Sequence, residues 1–418
     1  MKDRTTVVVA PVLRPDVRQY TRAIRESGDL RHLVGGAIYH EKGYLSQTIR
    51  ELDRLAGTTL YRQTEARRLN TEILQSQLTA SIYFELLSRV SSRLRLARGG
   101  SFAVDAIFAK VDSLAAKVID VNVELVVGQE DCCLRSFATA SRVGAKTLYD
   151  LPIPYHTELQ RVMTAEETLF PGVCLQNEGV ETFAAPRKRR KAAELAAADH
   201  VLVASQYVQS GLQSAGIPSS RISRIPYGCD DGRPFLPYSD RKPIVLYVGH
   251  LSLRKGTPRL LRVWKKLGAY RTHTLRLIGK QYLHPKFLAD FTGIYEHIPP
   301  MPRSGLWEHF SQARFFIFPS ACDGFGLVLN EALSCGTPIL ASSNTGAPGF
   351  ITEGVEGVTY EHGDDEALAT YLEQMLSNPT RTAEMGRAAY EFAQINGWPK
   401  YRDKIRELVS KLLNESRL

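Results

Sequence analysis

No apolar run in this chain approaches the roughly 18 residues that cross a bilayer, which excludes a bundle of membrane-spanning helices. At the N-terminus, Met1-Lys2-Asp3-Arg4 leads directly into a strand-like Thr5 to Ala10. The apolar core and small-residue cleavage site of a signal peptide are missing there, so a cytoplasmic location is expected. Cysteine is sparse, at Cys132, Cys133, Cys174, Cys229, Cys322 and Cys335. No C-x-x-C pair occurs and no histidine cluster sits nearby at zinc spacing, so the six are expected to pack as free thiols. No repeat at a solenoid period is present. Signatures of RNA or DNA binding are absent too, so nucleic acid is not expected as a partner. The formal charge of +9 therefore needs another anion, such as the phosphates of a nucleotide sugar or an anionic lipid.

What is present is an α/β pattern. Length, at 418 residues, calls for two or three domains of about 100–200 residues each. A 44% hydrophobic and 23% charged composition is that of a folded globular protein. Strand-like runs alternate with helical patterns from end to end. In the first half they are Thr6 to Val12, Val118 to Val127, Lys146 to Leu151 and Val201 to Ala204. The second half has Ile244 to Val248, Thr274 to Ile278, Phe315 to Phe318 and Pro338 to Ala341. Between the halves, Ile225 to Pro243 carries four prolines and little periodicity, as a linker would. Helical patterns run from Gly363-Asp364-Asp365 to Leu376, from Thr382 to Gln394 and from Tyr401 to Leu413.

The stretch Phe315 to Ser342, FFIFPSACDGFGLVLNEALSCGTPILAS, carries the most chemical information. It is a strand–loop–helix–strand unit whose loop lies at the carboxyl end of the first strand, where open parallel sheets bind ligands. The start of its helix offers backbone N–H groups that suit a phosphate. Asp323 and Glu331 flank that start and are expected to face one mouth. A phosphorylated, hydroxyl-rich ligand fits such a site.

Together these residues resemble the family 4 glycosyltransferases. The match is densest over Glu194 to Ala341 and runs more loosely to Trp398. ELAAADHVLVASQYVQSGLQSAGI, with Asp199 and Ser205, looks like the close of that family's N-terminal domain. RISRIPYGCD resembles its linker, VLYVGHLSLRKG the first loop of its donor domain, and VEGVTYEHGDDEAL the strand and helix that follow. The acids Asp323 and Glu331, with seven residues between them, match the family's acidic pair. Departures are specific: Asp323 stands where Glu is usual, Gly249-His250 where Gly-Arg is usual, and Ala347-Pro348-Gly349 where Pro-Glu is common. The N-terminal glycine-rich turn is replaced by Pro11-Val12-Leu13-Arg14-Pro15.

The resemblance implies a GT-B fold, two Rossmann-like domains facing each other across a cleft. The expected boundaries are 1–238 for the acceptor domain, 239–393 for the nucleotide-sugar domain and 394–418 for a helix crossing back. It also implies a retaining glycosyltransferase of hexosyltransferase type. No metal and no cofactor are expected beyond the nucleotide-diphosphate sugar donor, and the acceptor is a glycan, lipid-linked saccharide or small molecule. Within that frame Glu331 takes the ribose hydroxyls and Asp323 the donor sugar, whereas a helix cap is the ordinary alternative for Asp323. Gly324, Phe325, Gly326, Leu327 and Val328 give backbone N–H groups to the diphosphate. Lys255 and Arg254 neutralise the departing diphosphate. Gly249 and His250 belong to the donor loop.

On the acceptor side, YDLPIPYHTELQR has Tyr149 in the family's usual His place, with Asp150 and His156 as candidate acceptor groups. Two basic runs, Ser88 to Arg98 and Arg187-Lys188-Arg189-Arg190-Lys191, offer peripheral contact with an anionic membrane at its inner face; solvated helix faces are the commoner outcome. Two rival functions stand beside transfer. One is a nucleotide-sugar epimerase of the same fold, and the other a catalytically silent relative that binds sugars or partner proteins.

Overall fold

The computed structural model describes residues 5–36, 38–40, 44–56, 68–69, 77–80, 100–175, 184–230 and 233–415. The basic run Ser88 to Arg98 lies outside the described residues. Two large parallel sheets organise the chain. In the first the strand order is Leu78–Ala80, Leu30–Gly35, Thr6–Ala10, Leu125–Gln129, Lys146–Leu151, His200–Val203 and Ile222–Arg224. In the second it is Glu296–Ile298, Thr274–Ile278, Ile244–Val248, Phe315–Phe318, Ile339–Ser342 and Gly357–Tyr360. Each sheet reverses its winding once, between Thr6–Ala10 and Leu125–Gln129 and between Ile244–Val248 and Phe315–Phe318. Ligands of doubly wound sheets sit at such reversals, outside the carboxyl ends of the strands.

Continuous apolar runs such as TVVVA, IVLYV and FFIF form central strands because helices cover both faces of a parallel sheet. All residues of these three strands are buried. Helix starts follow their caps. The Ser205 hydroxyl accepts from the Val208 amide, Asp364 from Ala367 and Asn378 from Arg381, opening the helices Gln206–Ser214, Asp365–Ser377 and Pro379–Ile395.

The expected strand Val118 to Val127 is corrected by the structure. Val118 ends the helix Gly100–Val118, and pairing begins only at Leu125. Between them Asp120 closes a turn, its side chain accepting from the Asn122 amide at 2.9 Å and its carbonyl from Val123 at 3.0 Å. A short Asp side chain bonding its own backbone two residues on competes with the ladder.

The segment between the sheets is pinned rather than loose. Arg241 is buried and donates to the carbonyls of Leu236, Ala313 and Cys335 and to the Thr337 hydroxyl. Burial lowers its pKa to about 10.

Two helices tie the halves together. The helix His156–Leu169 follows a strand of the first sheet, yet Leu159, Val162 and Met163 share one core with Val245, Tyr247, Leu260 and Trp264 around the second. In the opposite sense, the final helix Trp398–Glu415 packs Tyr401, Ile405 and Leu408 against Tyr20, Ala23 and Ile24 of the helix Pro15–Glu26. Arg402 and Arg406 both reach Glu26 there. None of the six cysteines is in a disulfide, and five are buried. Among the described residues, no helix is long and apolar enough to cross a membrane.

Candidate active site

The loops that follow Ile244–Val248 and Phe315–Phe318 meet at the winding reversal of the second sheet. The Arg254 carbonyl accepts from the Ala321 amide at 2.8 Å, and the Arg254 guanidinium reaches the Cys322 carbonyl at 3.5 Å. Gly256 has φ +69°, and a Cβ there would lie 1.8 Å from the Pro319 carbonyl oxygen. Only a glycine allows the two loops so close.

This approach delivers Lys255 to Asp323. The ammonium forms a salt bridge and hydrogen bond with Asp323 Oδ2 and lies 5.4 Å from the centre of the Phe318 ring. Asp323 Oδ1 accepts from the Gly324 amide at 2.9 Å, while its own amide donates to Asn344. Lys255 and Arg254, together with the Gly324 amide, hold the Asp323 carboxyl below its ordinary pKa against the opposing effect of burial. The helix cap considered for Asp323 is excluded. Gly326 caps the helix Leu327–Ser334, and no side chain closes its start.

Asp323 and Glu331 each have their own cation. Glu331 is 5% exposed and pairs with Arg303, which also pairs with Asp230. Burial raises the Glu331 pKa, and Arg303 opposes the rise. Arg303 was not a sequence candidate. It opens the helix Arg303–Gln312, where a lone Arg at a helix start carries no signal of its own.

The other candidate residues of these loops separate by position. The Phe325 ring is buried and packs on Tyr227 and Phe350, at centroid distances of 5.0 and 5.1 Å, so the side chain seals the seam between the halves. Leu327 and Val328 are half-buried, and their amides lie in the first turn, where a helix has no internal acceptors. Gly249 bonds the Ile278 carbonyl, and the exposed His250 sets its ring 5.1 Å from Tyr282.

The loop after Lys146–Leu151 touches the loop bearing Gly324 directly. A Cβ on Gly324 would fall 1.8 Å from the Pro152 carbonyl oxygen and 3.0 Å from the Ile153 Cα. The acceptor-side candidates therefore sit beside that loop. His156 starts the helix His156–Leu169, is 9% exposed, and neither ring nitrogen has a hydrogen-bond partner. Its pKa is lowered, first by burial and then by Lys191 and Lys188. Asp150 is buried and its pKa rises to about 7, chiefly through burial and then the nearby Asp16. Tyr149 is also buried, with its hydroxyl 3.5 Å from Glu194.

Around Asp150 lies a charged nest that motif reading missed. Arg14 pairs with Asp16 at the reversal of the first sheet, and the buried Lys191 pairs with Glu130 at 2.8 Å and Asp131 at 3.2 Å. Arg187 and Arg190 bind Asp105, and Arg190 also binds Asp131. Three of the five residues in the basic run 187–191 are thus committed to ion pairs within the chain, while Arg189 is exposed and Lys188 half-buried. The sequence shows the cations but not the acids that fold against them. A separate cavity of about 180 Å³, lined by Tyr227, Phe350, Lys400 and Tyr401, contains none of the donor-loop candidates. Among the described residues, no three of His, Cys, Asp or Glu converge as a metal-binding group.

Comparison with known proteins follows the same geometry. Residues 231–392 match the family model described as Glycosyl transferases group 1. The GDP-mannose-dependent alpha-(1-6)-phosphatidylinositol monomannoside mannosyltransferase of Mycolicibacterium smegmatis is 30% identical over 239 residues, covering 51% of this chain and 62% of that protein. A D-inositol 3-phosphate glycosyltransferase of Thermobifida fusca is 28% identical over 190 residues, or 42% of this chain and 44% of its own length. The chain thus spans less than two thirds of each of these relatives. Among solved structures, HepE of Anabaena in complex with UDP superposes with a TM-score of 0.60 at 15% identity, over 97% of this chain and 100% of that one. WaaG, a glycosyltransferase involved in lipopolysaccharide biosynthesis, gives 0.60 at 13% identity, over 97% and 99%. At those identities the likeness is one of fold. The two-sheet architecture is the GT-B fold, and residues 231–392 are similar to the group 1 glycosyltransferases.

Proposed function

We propose that this protein transfers a sugar from a nucleotide-diphosphate sugar to a hydroxyl-bearing acceptor, with retention of anomeric configuration and without a metal ion. One observation carries the reading: Lys255 and Asp323 meet at the winding reversal, beside a helix start, with Pro152 of the opposite half pressed against Gly324. Lys255 and Arg254 would take up the negative charge that develops on the departing diphosphate, the part a divalent ion plays elsewhere. Amides of Phe325 to Val328 would bind the diphosphate, with Asp323, braced by the Gly324 amide, on the donor sugar and Glu331 on the ribose. Asp150 and His156, across the cleft, would contact the acceptor. The relatives named for GDP-mannose and inositol phosphates, and HepE with UDP, support a polyol or lipid-linked acceptor but span two donor bases.

The test is turnover of UDP-, GDP- and ADP-sugars with and without polyol and lipid acceptors, in the presence of EDTA. Release of nucleoside diphosphate that persists in EDTA and is lost in Lys255→Ala is the expected result. Nucleotide binding with no turnover across the panel would favour a silent relative.

A further inference from the structure

We propose that Arg303 is a positioning residue for the donor ribose, holding Glu331 ionised and oriented so that the site selects ribonucleotides over their deoxy counterparts. The inference rests on the function proposed above and assigns a residue to which that reading gives no part.

Three elements far apart in sequence supply the arrangement. Arg303 sits at the start of the helix Arg303–Gln312, Glu331 lies on the helix Leu327–Ser334, and Asp230 is in the segment between the sheets. The Arg303 Nε donates to Glu331 Oε1 and its Nη2 to Asp230 Oδ2, so one planar guanidinium spans both carboxylates. Such a fork fixes direction as well as charge, which a lysine would not. Asp230 is itself held, its amide donating to the Ser334 hydroxyl at 3.1 Å and its Oδ1 facing Trp398 Nε1 at 3.4 Å. The guanidinium also lies 5.2 Å from the centre of the Trp307 ring, which Arg233 covers at 3.7 Å.

Glu331 needs this support. Its side chain is 7% exposed, whereas that of Arg303 is 40% exposed. A buried carboxylate left without a counter-charge takes up a proton and then accepts hydrogen bonds poorly. The charged groups acting on Glu331 are Arg303, Asp230 and Arg233, with Arg303 the strongest in favour of the ionised form. Arg303 occupies Oε1 only. A carboxylate oxygen has two acceptor positions, so a vicinal diol can donate to Oε2 and to the second position on Oε1. A ligand lacking one hydroxyl leaves one of those positions without a donor once the ligand covers it.

The experiment measures binding of UDP, GDP and ADP and of their 2′-deoxy forms to the full chain by calorimetry. The wild type should prefer the ribonucleotide roughly ten- to hundredfold, the scale of one hydrogen bond to a charged group. Arg303→Ala should bind both forms weakly and nearly equally, and Arg303→Lys should recover part of the affinity. Asp230→Asn should shrink the preference without abolishing it. Because Arg303 acts through Glu331, the double variant R303A/E331Q should lose no more preference than E331Q alone. A folded R303A that keeps the wild-type ratio overturns the inference and leaves the proposed function standing. A wild type that binds none of the diphosphates removes both.

Discussion

Glu166 and Arg259, 93 residues apart, form a buried ion pair that joins the helix His156–Leu169 to the second half of the molecule. Arg259 Nη2 donates to Glu166 Oε1 at 2.7 Å and its Nε lies 3.1 Å from both carboxylate oxygens. Their side chains are 8% and 2% exposed, and His362 and Asp365 complete the cluster at 3.1 and 2.8 Å. The loop bearing Pro152 and His156 is thereby held against the second half of the molecule by charge as well as by the apolar core around Trp264.

Removing one partner strands a buried charge, so Glu166→Ala should destabilise the protein by about 3–5 kcal/mol, somewhat less where Asp365 compensates Arg259. Urea unfolding of wild type and variant measures the difference. A change within about 0.5 kcal/mol, the range of ordinary surface substitutions, would contradict the buried pairing.

Gly324→Ala tests the closeness of the two halves. The new Cβ would sit 1.8 Å from the Pro152 carbonyl, a backbone atom that no side-chain rotation can move away. Parting the loops should cost about 1–3 kcal/mol and lower sugar transfer by at least roughly tenfold, because small misplacements at a reacting centre are expensive. Unchanged initial rates with a saturating nucleotide sugar would show that the contact does not matter to transfer.

Stability should fall as pH rises from about 5 to 8. Burial pushes Glu130, Asp150 and Glu194 up to about 7, above the value near 4 expected in the unfolded chain. The native state therefore binds more protons across that interval, and the stabilisation present at lower pH is lost through 7. Glu166 and Asp323 are shifted downward, so their contribution holds above the ordinary carboxylate range and disappears in stronger acid. The urea midpoint should be highest near pH 4 to 5, just above the ordinary carboxylate range. Asp150→Asn, which cannot ionise, should flatten the alkaline side. A midpoint that climbs steadily to pH 8 would be inconsistent with these buried acids.

Arg190→Ala should lower the melting temperature by a few degrees, since the half-buried Arg190 ties Asp105 to Asp131 in the first half. Its effect on sedimentation with phosphatidylserine vesicles should be small by comparison. Loss of vesicle binding at unchanged melting temperature would reassign the run 187–191 to the surface.

Fold and candidate site were legible to different depths. The strands Lys146–Leu151, Ile244–Val248, Thr274–Ile278 and Phe315–Phe318 are found where their apolar runs indicated, because buried parallel strands need unbroken apolar sequence. Short edge strands such as Glu296–Ile298 passed unnoticed, since a half-exposed three-residue segment has no such pattern. Val118 to Val127 misled because a helix end and a strand start were both apolar, and only the Asp120 turn divides them.

By itself the order of residues determined the local events: where the central strands run and where Ser205, Asp364 and Asn378 cap helices. Such events depend on neighbours along the chain, through sterics, periodicity and short hydrogen bonds. Tertiary structure alone decided which charge meets which: Lys255 with Asp323, Arg303 with Glu331 and Asp230, Arg259 with Glu166, and the basic run with Asp105, Glu130 and Asp131. A cation attracts any carboxylate, and only the packing of distant elements brings one of them within reach and removes the water that would otherwise screen the rest.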